Sequence, residues 1–246
     1  MAIEITRPSA VYNLMFHAGE VTEIRAIGGL QGKNKAWEGT CWGAKGVVSG
    51  YFDNVGDFGR AAEALDNAGA HGVYFCLNPC KESLLARAEN RLKAGINTTS
   101  DRDVKMIRWL PIDLDPVRPS GISSTEEEVE QAFALATEVM AWINELCGWE
   151  KPLRGFSGNG CHLLFRLLDL ANTDENVLKI KKALAAAAHQ FSGRTVLVDE
   201  SVFNPSRIWK VYGTMARKGD NTKSRPHRKS MLISKEQILT EVEICK

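Results

Sequence analysis

The stretch "KMIRWLPIDLDPVRP", residues 105–119, begins as an apolar run and ends in two aspartates. The apolar part, residues 105–114, predicts a buried β-strand. Asp113 and Asp115 would face the same side of that strand, and two neighbouring carboxylates repel each other unless a cation lies near them. One interpretation is a divalent metal site, because such ions prefer oxygen ligands. The other is a strand that ends in a polar turn at Pro116.

The elements predicted around this strand are a helix, two strands, a second helix and a last strand. In chain order they are "SSTEEEVEQAFALATEVMAWINELCG" (123–148), "LRGFSGNGCHLLFRLL" (153–168), "TDENVLKIKKALAAAAHQF" (173–191) and, for the last strand, "RIWKVYGT" (207–214) or "HRKSMLIS" (227–234). Ser124 and Glu127 have capping-box spacing at the first helix. The order is typical of a ferredoxin-like or RNA-recognition-type (RRM-like) antiparallel sheet of the α+β class. In that topology the first strand and the hairpin are neighbours, which would bring Asp113, Asp115 and His162 together.

The residues before 105 predict a separate α/β lobe that ends in the polar segment "INTTSDRD", residues 96–103. It contains two predicted strands, at 46–53 and 72–78, and two predicted helices, at 55–69 and 81–95. The predicted domains are therefore an N-terminal α/β lobe over 1–104, an RRM-like lobe over 105–234, and a C-terminal stub or linker over 235–246.

Composition excludes some classes of protein without selecting one. The chain of 246 residues is 44% hydrophobic and 25% charged, as expected of a soluble globular protein. No apolar run approaches membrane-spanning length and the N-terminus does not have the pattern of a signal peptide, so we expect a cytoplasmic protein without a membrane partner. The six cysteines are scattered, which favours reduced structural thiols over a zinc site.

The basic residues are concentrated in one segment although the net charge is only +1. "SRIWKVYGTMARKGDNTKSRPHRK", residues 206–229, contains eight Lys and Arg residues and one acid, Asp220. Such a stretch predicts a phosphate-contacting surface, although a solvated loop would have the same composition.

Two further segments carry candidate site residues. In "SGNGCHLLF", residues 157–165, the glycines would let the backbone approach an anion, and His162 begins the returning strand. His162 could equally be a core histidine. Asp199 ends the apolar run of "VLVDE" and, alone, is an ordinary loop acid.

Asp113-x-Asp115, Gly160-x-His162 and the apolar run ending in Asp199 together resemble the three motifs of the archaeo-eukaryotic primase superfamily, DxD, sxH and hD. The similarity is closest to the primase-polymerase branch found in phages, plasmids and bacterial mobile or CRISPR-associated loci. It extends roughly over residues 50–234, because segments 77–92 and 204–228 also look like their counterparts in that branch. Gly160 departs from the Ser of many members. A hydroxyl contact to phosphate would be lost there, although the backbone amide could serve.

The resemblance implies a two-lobed primase catalytic core and a DNA-templated nucleotidyltransferase, acting as a primase, a primer-extending polymerase or both. It implies two divalent ions, Mg²⁺ or Mn²⁺, at Asp113, Asp115 and Asp199. It also implies a nucleotide site and weaker contacts to the template. The nucleotide site would comprise Ser157, Gly158, Gly160, His162, Arg207 and Lys210; the weaker DNA candidates are Arg118, Lys218 and Arg225, and Asn90 and Arg91 would either touch the template or pack.

Partners implied by the resemblance are a single-stranded DNA template, a primer, and NTPs or dNTPs. It also implies a helicase or an accessory helical domain, downstream or in trans, since residues 235–246 are too few for a core of their own. We therefore expect primer extension to exceed primer synthesis on bare template. Two alternatives remain open: a non-catalytic RRM-like nucleic-acid-binding module and a metal-dependent nuclease.

Overall fold

A computed structural model describes residues 2–42, 46–149 and 152–235. Its four α-helices are α1 (Pro8–Met15), α2 (Val55–Asn67), α3 (Glu126–Cys147) and α4 (Asp174–Phe191). The strands of the described residues are β1 (Ala2–Ile5), β2 (Thr22–Ile27), β3 (Gly32–Asn34), β4 (Trp37–Cys41), β5 (Val47–Phe52), β6 (Gly72–Cys76), β7 (Lys93–Ala94), β8 (Met106–Pro116), β9 (Leu153–Phe156), β10 (Cys161–Ala171), β11 (Val196–Val198), β12 (Ile208–Lys210), β13 (Met215–Ala216), β14 (Arg228–Lys229) and β15 (Met231–Lys235).

One large sheet has the strand order β1-β15-β9-β10-β8-β11, with antiparallel neighbours throughout. Both α3 and α4 contact this sheet and each other. The mixed α and β architecture with a large antiparallel sheet is therefore confirmed. From β8 to β11 the elements come in the order strand, helix, two strands, helix, strand.

The last strand of that order was placed wrongly by the sequence analysis. It is the short β11, which pairs with β8. Residues 208–210 instead form β12 in the other sheet, and β15 adds to the large sheet beside β9. The three apolar residues of β11 are a weak local signal for a strand. They become a strand because they pair with β8.

The second sheet has the order β12-β6-β2-β5-β7-β4-β3, with α2 packed on β2, β5 and β6. Aromatic rings of Tyr12, Phe16, Phe52, Phe58 and Phe75 contact one another beneath it. The predicted boundary at residue 104 stays a prediction, and two segments cross it. β1 belongs to the large sheet, and β12 belongs to the second sheet. The predicted stub lies, from residue 236 on, outside the described residues.

The helix predicted over residues 81–95 is wrong. A short 3₁₀ turn, Glu82–Arg87, forms there, and residues 93–94 form β7. Just after the turn the backbone pairs with β5 instead: the Tyr51 amide donates to the Ala88 carbonyl at 3.1 Å, and the Asn90 amide donates to the Tyr51 carbonyl at 2.8 Å. Asn90 has a φ of 48°, a left-handed conformation that ends any helix. Satisfying the backbone groups of β5 thus outweighs the helix propensity of this segment.

The N-cap of α3 lies one residue later than predicted. Thr125 and Glu128 form the capping box. Ser124 is buried and bonds to the glycine-rich turn instead: its amide donates to Asn159 Oδ1 at 2.9 Å, and its hydroxyl donates to the Asn159 carbonyl at 2.7 Å. The start of α3 is therefore tied to the turn between β9 and β10.

Cysteines 41, 76, 80, 147 and 161 are free thiols, and Cys245 lies outside the described residues. Within the part of the chain that the structure describes, no helix has the length and apolar character needed to cross a membrane.

Candidate active site

A pocket of about 210 Å³ is lined by residues from both sheets. It receives the ends of β8, β10 and β11, the turn before β10, and the segment from β12 onward. Eight residues predicted from sequence line it: Asp113, Asp115, Ser157, His162, Asp199, Arg207, Lys210 and Lys218. The structure thus brings the predicted acids, histidine and basic side chains into one cavity.

Strand pairing places the acids. Asp113 lies opposite His162 in β10, and Asp115 lies opposite Leu197 in β11. The Asp199 amide donates to the Asp113 carbonyl at 2.9 Å, so the end of β11 is joined to β8 at the first aspartate. Residues nearly ninety positions apart in sequence therefore become neighbours.

The acid cluster carries excess negative charge. Burial, followed by the charges of Asp115 and Asp199, raises the pKa of Asp113 to about 7. The cations of Lys218 and Arg118 oppose this effect on the Asp113 pKa without cancelling it. A divalent cation would relieve this repulsion, and three carboxylates are the oxygen donors that Mg²⁺ and Mn²⁺ accept.

Two of the acids already have partners. Arg118 Nη1 donates to Asp115 Oδ1 at 2.8 Å and to the Pro116 carbonyl at 2.9 Å. Asp199 Oδ1 accepts from the Ser201 amide at 2.8 Å. Across residues 2–42, 46–149 and 152–235, no three His, Cys, Asp or Glu side chains already converge as a metal site. The donor set fits a divalent ion by its chemistry, and in this structure Arg118 contacts Asp115.

His162 is both buried and part of the pocket. Its Nδ1 lies 2.8 Å from the Tyr212 hydroxyl, and its Nε2 lies 3.5 Å from Asp113 Oδ1. The centroid of its ring is 4.2 Å from that of Trp209. Burial, with smaller effects of Lys210 and Lys218, lowers the pKa of His162 to about 3, so the imidazole is neutral at pH 7.

The glycine-rich turn closes on itself. The amides of Asn159 and Gly160 donate to Ser157 Oγ at 3.2 and 2.9 Å, so the Gly160 amide that could have served a phosphate is engaged within the turn. A Cβ at position 160 would lie 2.3 Å from the Leu114 carbonyl oxygen. Close approach to β8 therefore explains why this position is glycine and not serine. Gly158 has a φ of +99°, and its role is likewise conformational.

Lys210 is almost completely buried. Its Nζ donates to the Met215 carbonyl at 2.8 Å and lies 5.6 Å from the centroid of the Tyr74 ring. Burial, with a smaller effect of Arg217, lowers the pKa of Lys210 to about 7 against the opposing charge of Asp66. Arg207 is half-buried and its guanidinium donates to the Ser201 carbonyl, whereas Lys218 is exposed at the pocket.

The weaker DNA candidates are mostly paired with acids. Arg225 makes two hydrogen bonds of 2.8 Å to the Glu128 carboxylate. Asn90 donates to Asp53 at 2.9 Å, and Arg91 lies 3.2 Å from Glu38. The charges of Arg225 and Arg91 are therefore balanced by neighbouring carboxylates.

Several pocket residues were missed by the sequence analysis. His71, just before β6, and Tyr74, within β6, carried no sequence signal. Asn159, between the two glycines, and Trp209, within the basic segment, could have been found because both lie inside motifs already singled out. Arg217 lines the pocket too, with its guanidinium held by Asp66 at 2.6 Å.

No protein-family model matches the chain, and a search of the curated proteins finds no match either.

Proposed function

We propose that this chain is a DNA-templated nucleotidyltransferase of the archaeo-eukaryotic primase type, with an RRM-like sheet carrying its active site. It would make or extend primers from nucleoside triphosphates. The observation that carries the proposal is one pocket with an acidic wall, Asp113, Asp115 and Asp199, and a basic wall that includes Arg207, Lys210 and Lys218. Nucleotidyl transfer needs both walls, because the acidic wall can bind divalent cations and the basic wall can bind the polyanionic triphosphate.

Each side chain then has a task. Divalent ions held by the three aspartates would activate a 3′-hydroxyl and stabilise the leaving pyrophosphate. Arg207 suits a fork-like contact with phosphate, while Lys210 and Lys218 supply point charges. His162, neutral and facing Asp113, offers a hydrogen bond to the triphosphate. Arg118 holds Asp115 in place by its 2.8 Å contact.

The alternatives explain less of the pocket. A non-catalytic RRM-like module stacks bases on exposed aromatic side chains, but Trp109 of β8 and Phe165 of β10 are both buried. Such a module has no use for three acids beside its nucleic acid. A nuclease would use the acids but does not need a triphosphate site.

The test is a gel assay of primer extension with NTP and dNTP mixtures, in Mg²⁺ and in Mn²⁺. We expect the wild type to incorporate nucleotides, and Asp113→Ala, Asp115→Ala and Asp199→Ala each to abolish incorporation. Glu130→Ala, which changes an exposed acid on α3, is the matched control and should retain activity.

The same gel separates the three functions. Cleavage of the DNA without incorporation would replace the proposal with the nuclease. Binding of DNA without either reaction would replace it with the non-catalytic module. Extension at the wild-type rate by any of the three aspartate variants would remove that residue from the metal-binding set.

A further inference from the structure

A chain of hydrogen bonds runs behind His162, on the side away from Asp113. Trp209 Nε1 donates to the Tyr212 hydroxyl oxygen at 2.9 Å, and that hydroxyl lies 2.8 Å from His162 Nδ1. All three side chains are buried, with at most 5% of each residue exposed. The donors and acceptors along this chain therefore have to satisfy one another.

The order of donors follows from their chemistry. An indole nitrogen only donates, so Tyr212 accepts from Trp209. The hydroxyl has one proton of its own, and a buried hydroxyl proton needs an acceptor. Within the described residues, the other hydrogen-bond partner of this hydroxyl is His162 Nδ1. Tyr212 thus donates to Nδ1. A ring nitrogen that accepts a hydrogen bond carries no proton, so the ring proton is on Nε2.

The surrounding backbone is built around this hydroxyl. A Cβ at Gly155 in β9 would lie 2.3 Å from the Tyr212 hydroxyl oxygen, so only glycine leaves room for it. The next residue after the tyrosine, Gly213, has a φ of +95° and turns the chain away. Trp209 also packs its ring against His162, at 4.2 Å between centroids. The imidazole is therefore held by contacts on its face and at Nδ1.

We infer that Tyr212 and Trp209 are positioning residues that hold His162 as its Nε2–H tautomer, so that it presents a hydrogen-bond donor to the pocket. In the free protein Nε2 faces Asp113 Oδ1 at 3.5 Å. Resting on the proposed function, its acceptor is a phosphate oxygen of the bound triphosphate. His162 thus acts as a neutral donor to phosphate. It does not act as the base that takes the proton of the attacking hydroxyl, because its pocket-facing nitrogen already carries one.

The direct test is nitrogen NMR on protein labelled with ¹⁵N-histidine, which contains five histidines. The resonances that disappear in His162→Gln are those of the His162 ring. In the wild type they should show a protonated Nε2 and an unprotonated Nδ1. In Tyr212→Phe the hydrogen bond to Nδ1 is lost, so its resonance should shift. Affinity for a non-hydrolysable triphosphate analogue, measured by calorimetry with Mg²⁺, should fall about tenfold.

Tyr12→Phe is the matched control. It also removes a buried tyrosine hydroxyl, one that donates to the Glu20 carbonyl at 2.6 Å in the N-terminal part of the chain. We expect it to leave the His162 resonances and the analogue affinity unchanged. Trp209→Phe keeps a ring against His162 and should shift the resonances less than Tyr212→Phe. It serves as the second variant if Tyr212→Phe does not fold.

A wild-type ring proton on Nδ1 would overturn the inference. So would a Tyr212→Phe spectrum and analogue affinity equal to those of Tyr12→Phe. If the tautomer is as expected but the wild type binds no triphosphate analogue, the hydrogen-bond chain stands and the proposed function fails.

Discussion

At the scale of single residues, Asp113 makes the stability of the fold depend on pH. It is a buried carboxylate beside two others, and its pKa is raised from 3.8 to about 7. The native state therefore binds its proton more tightly than the unfolded chain does. The stability that this provides is fully present below about pH 4 and is lost as pH rises through 7.

We predict that Asp113→Asn raises the free energy of unfolding at pH 8 and changes it little at pH 4. Each unit of pKa shift corresponds to about 1.4 kcal/mol, so the gain is a few kcal/mol at most. Urea unfolding at the two pH values measures it, with Asp174→Asn at an exposed site of α4 as control. Equal stability of the variant and the wild type at pH 8 would contradict the prediction.

Lys210 is the opposite case at the residue scale, because burial lowers its pKa from 10.5 to about 7. The unfolded chain binds that proton more tightly, so this residue makes stability rise with pH between about 7 and 10.5. Lys210→Met should abolish that rise and weaken triphosphate binding about ten- to a hundredfold. Urea unfolding and calorimetric titration test the two effects. The exposed Lys223→Met is the control.

At the scale of elements, the turn between β9 and β10 depends on how closely it approaches β8. Gly160→Ala places a Cβ 2.3 Å from the Leu114 carbonyl oxygen, and backbone is costly to move. We expect a loss of about 1–3 kcal/mol of stability, the usual cost of overpacking. Chemical denaturation measures it. Gly193→Ala, whose Cβ would meet nothing closer than 4.0 Å, should cost much less.

At the scale of the whole molecule, Arg108 joins the large sheet to the segment that leads into the second sheet. It lies on β8, is 98% buried as a side chain, and bonds to Glu20 ahead of β2 and to Asp169 in β10. Its removal would leave two carboxylates without their main partner. Such losses cost about 3–5 kcal/mol.

We therefore predict that Arg108→Ala lowers the stability of both sheets together, in one unfolding transition. Circular dichroism and tryptophan fluorescence during urea unfolding should give coincident curves. Arg166→Ala, which removes an exposed partner of the same Asp169, is the control and should cost less than 1 kcal/mol or so. An Arg108→Ala variant that unfolds at the same urea concentration as Arg166→Ala, or in which only one of the two sheets is destabilised, would contradict the prediction.

The sequence alone was sufficient for features that depend on local pattern. Apolar periodicity predicted β8, α3, α4 and the β9–β10 hairpin. The ordered motifs also singled out three acids, one histidine and the basic residues Arg207 and Lys210, all of which line one pocket. Arg118 and Arg225, predicted as weaker contacts, are not among its lining residues. The predictions from local pattern succeed because periodicity and turn chemistry are properties of neighbouring residues along the chain.

Only the tertiary structure decided what depends on partners distant in sequence. Residues 88–90 pair with β5 in place of continuing a helix, and Arg225 is taken by Glu128, 97 positions away. Tyr212 reaches His162 across 50 positions, through space that Gly155 leaves open. Burial and hydrogen-bond satisfaction set these outcomes, and both are properties of the folded chain that no local window of sequence contains.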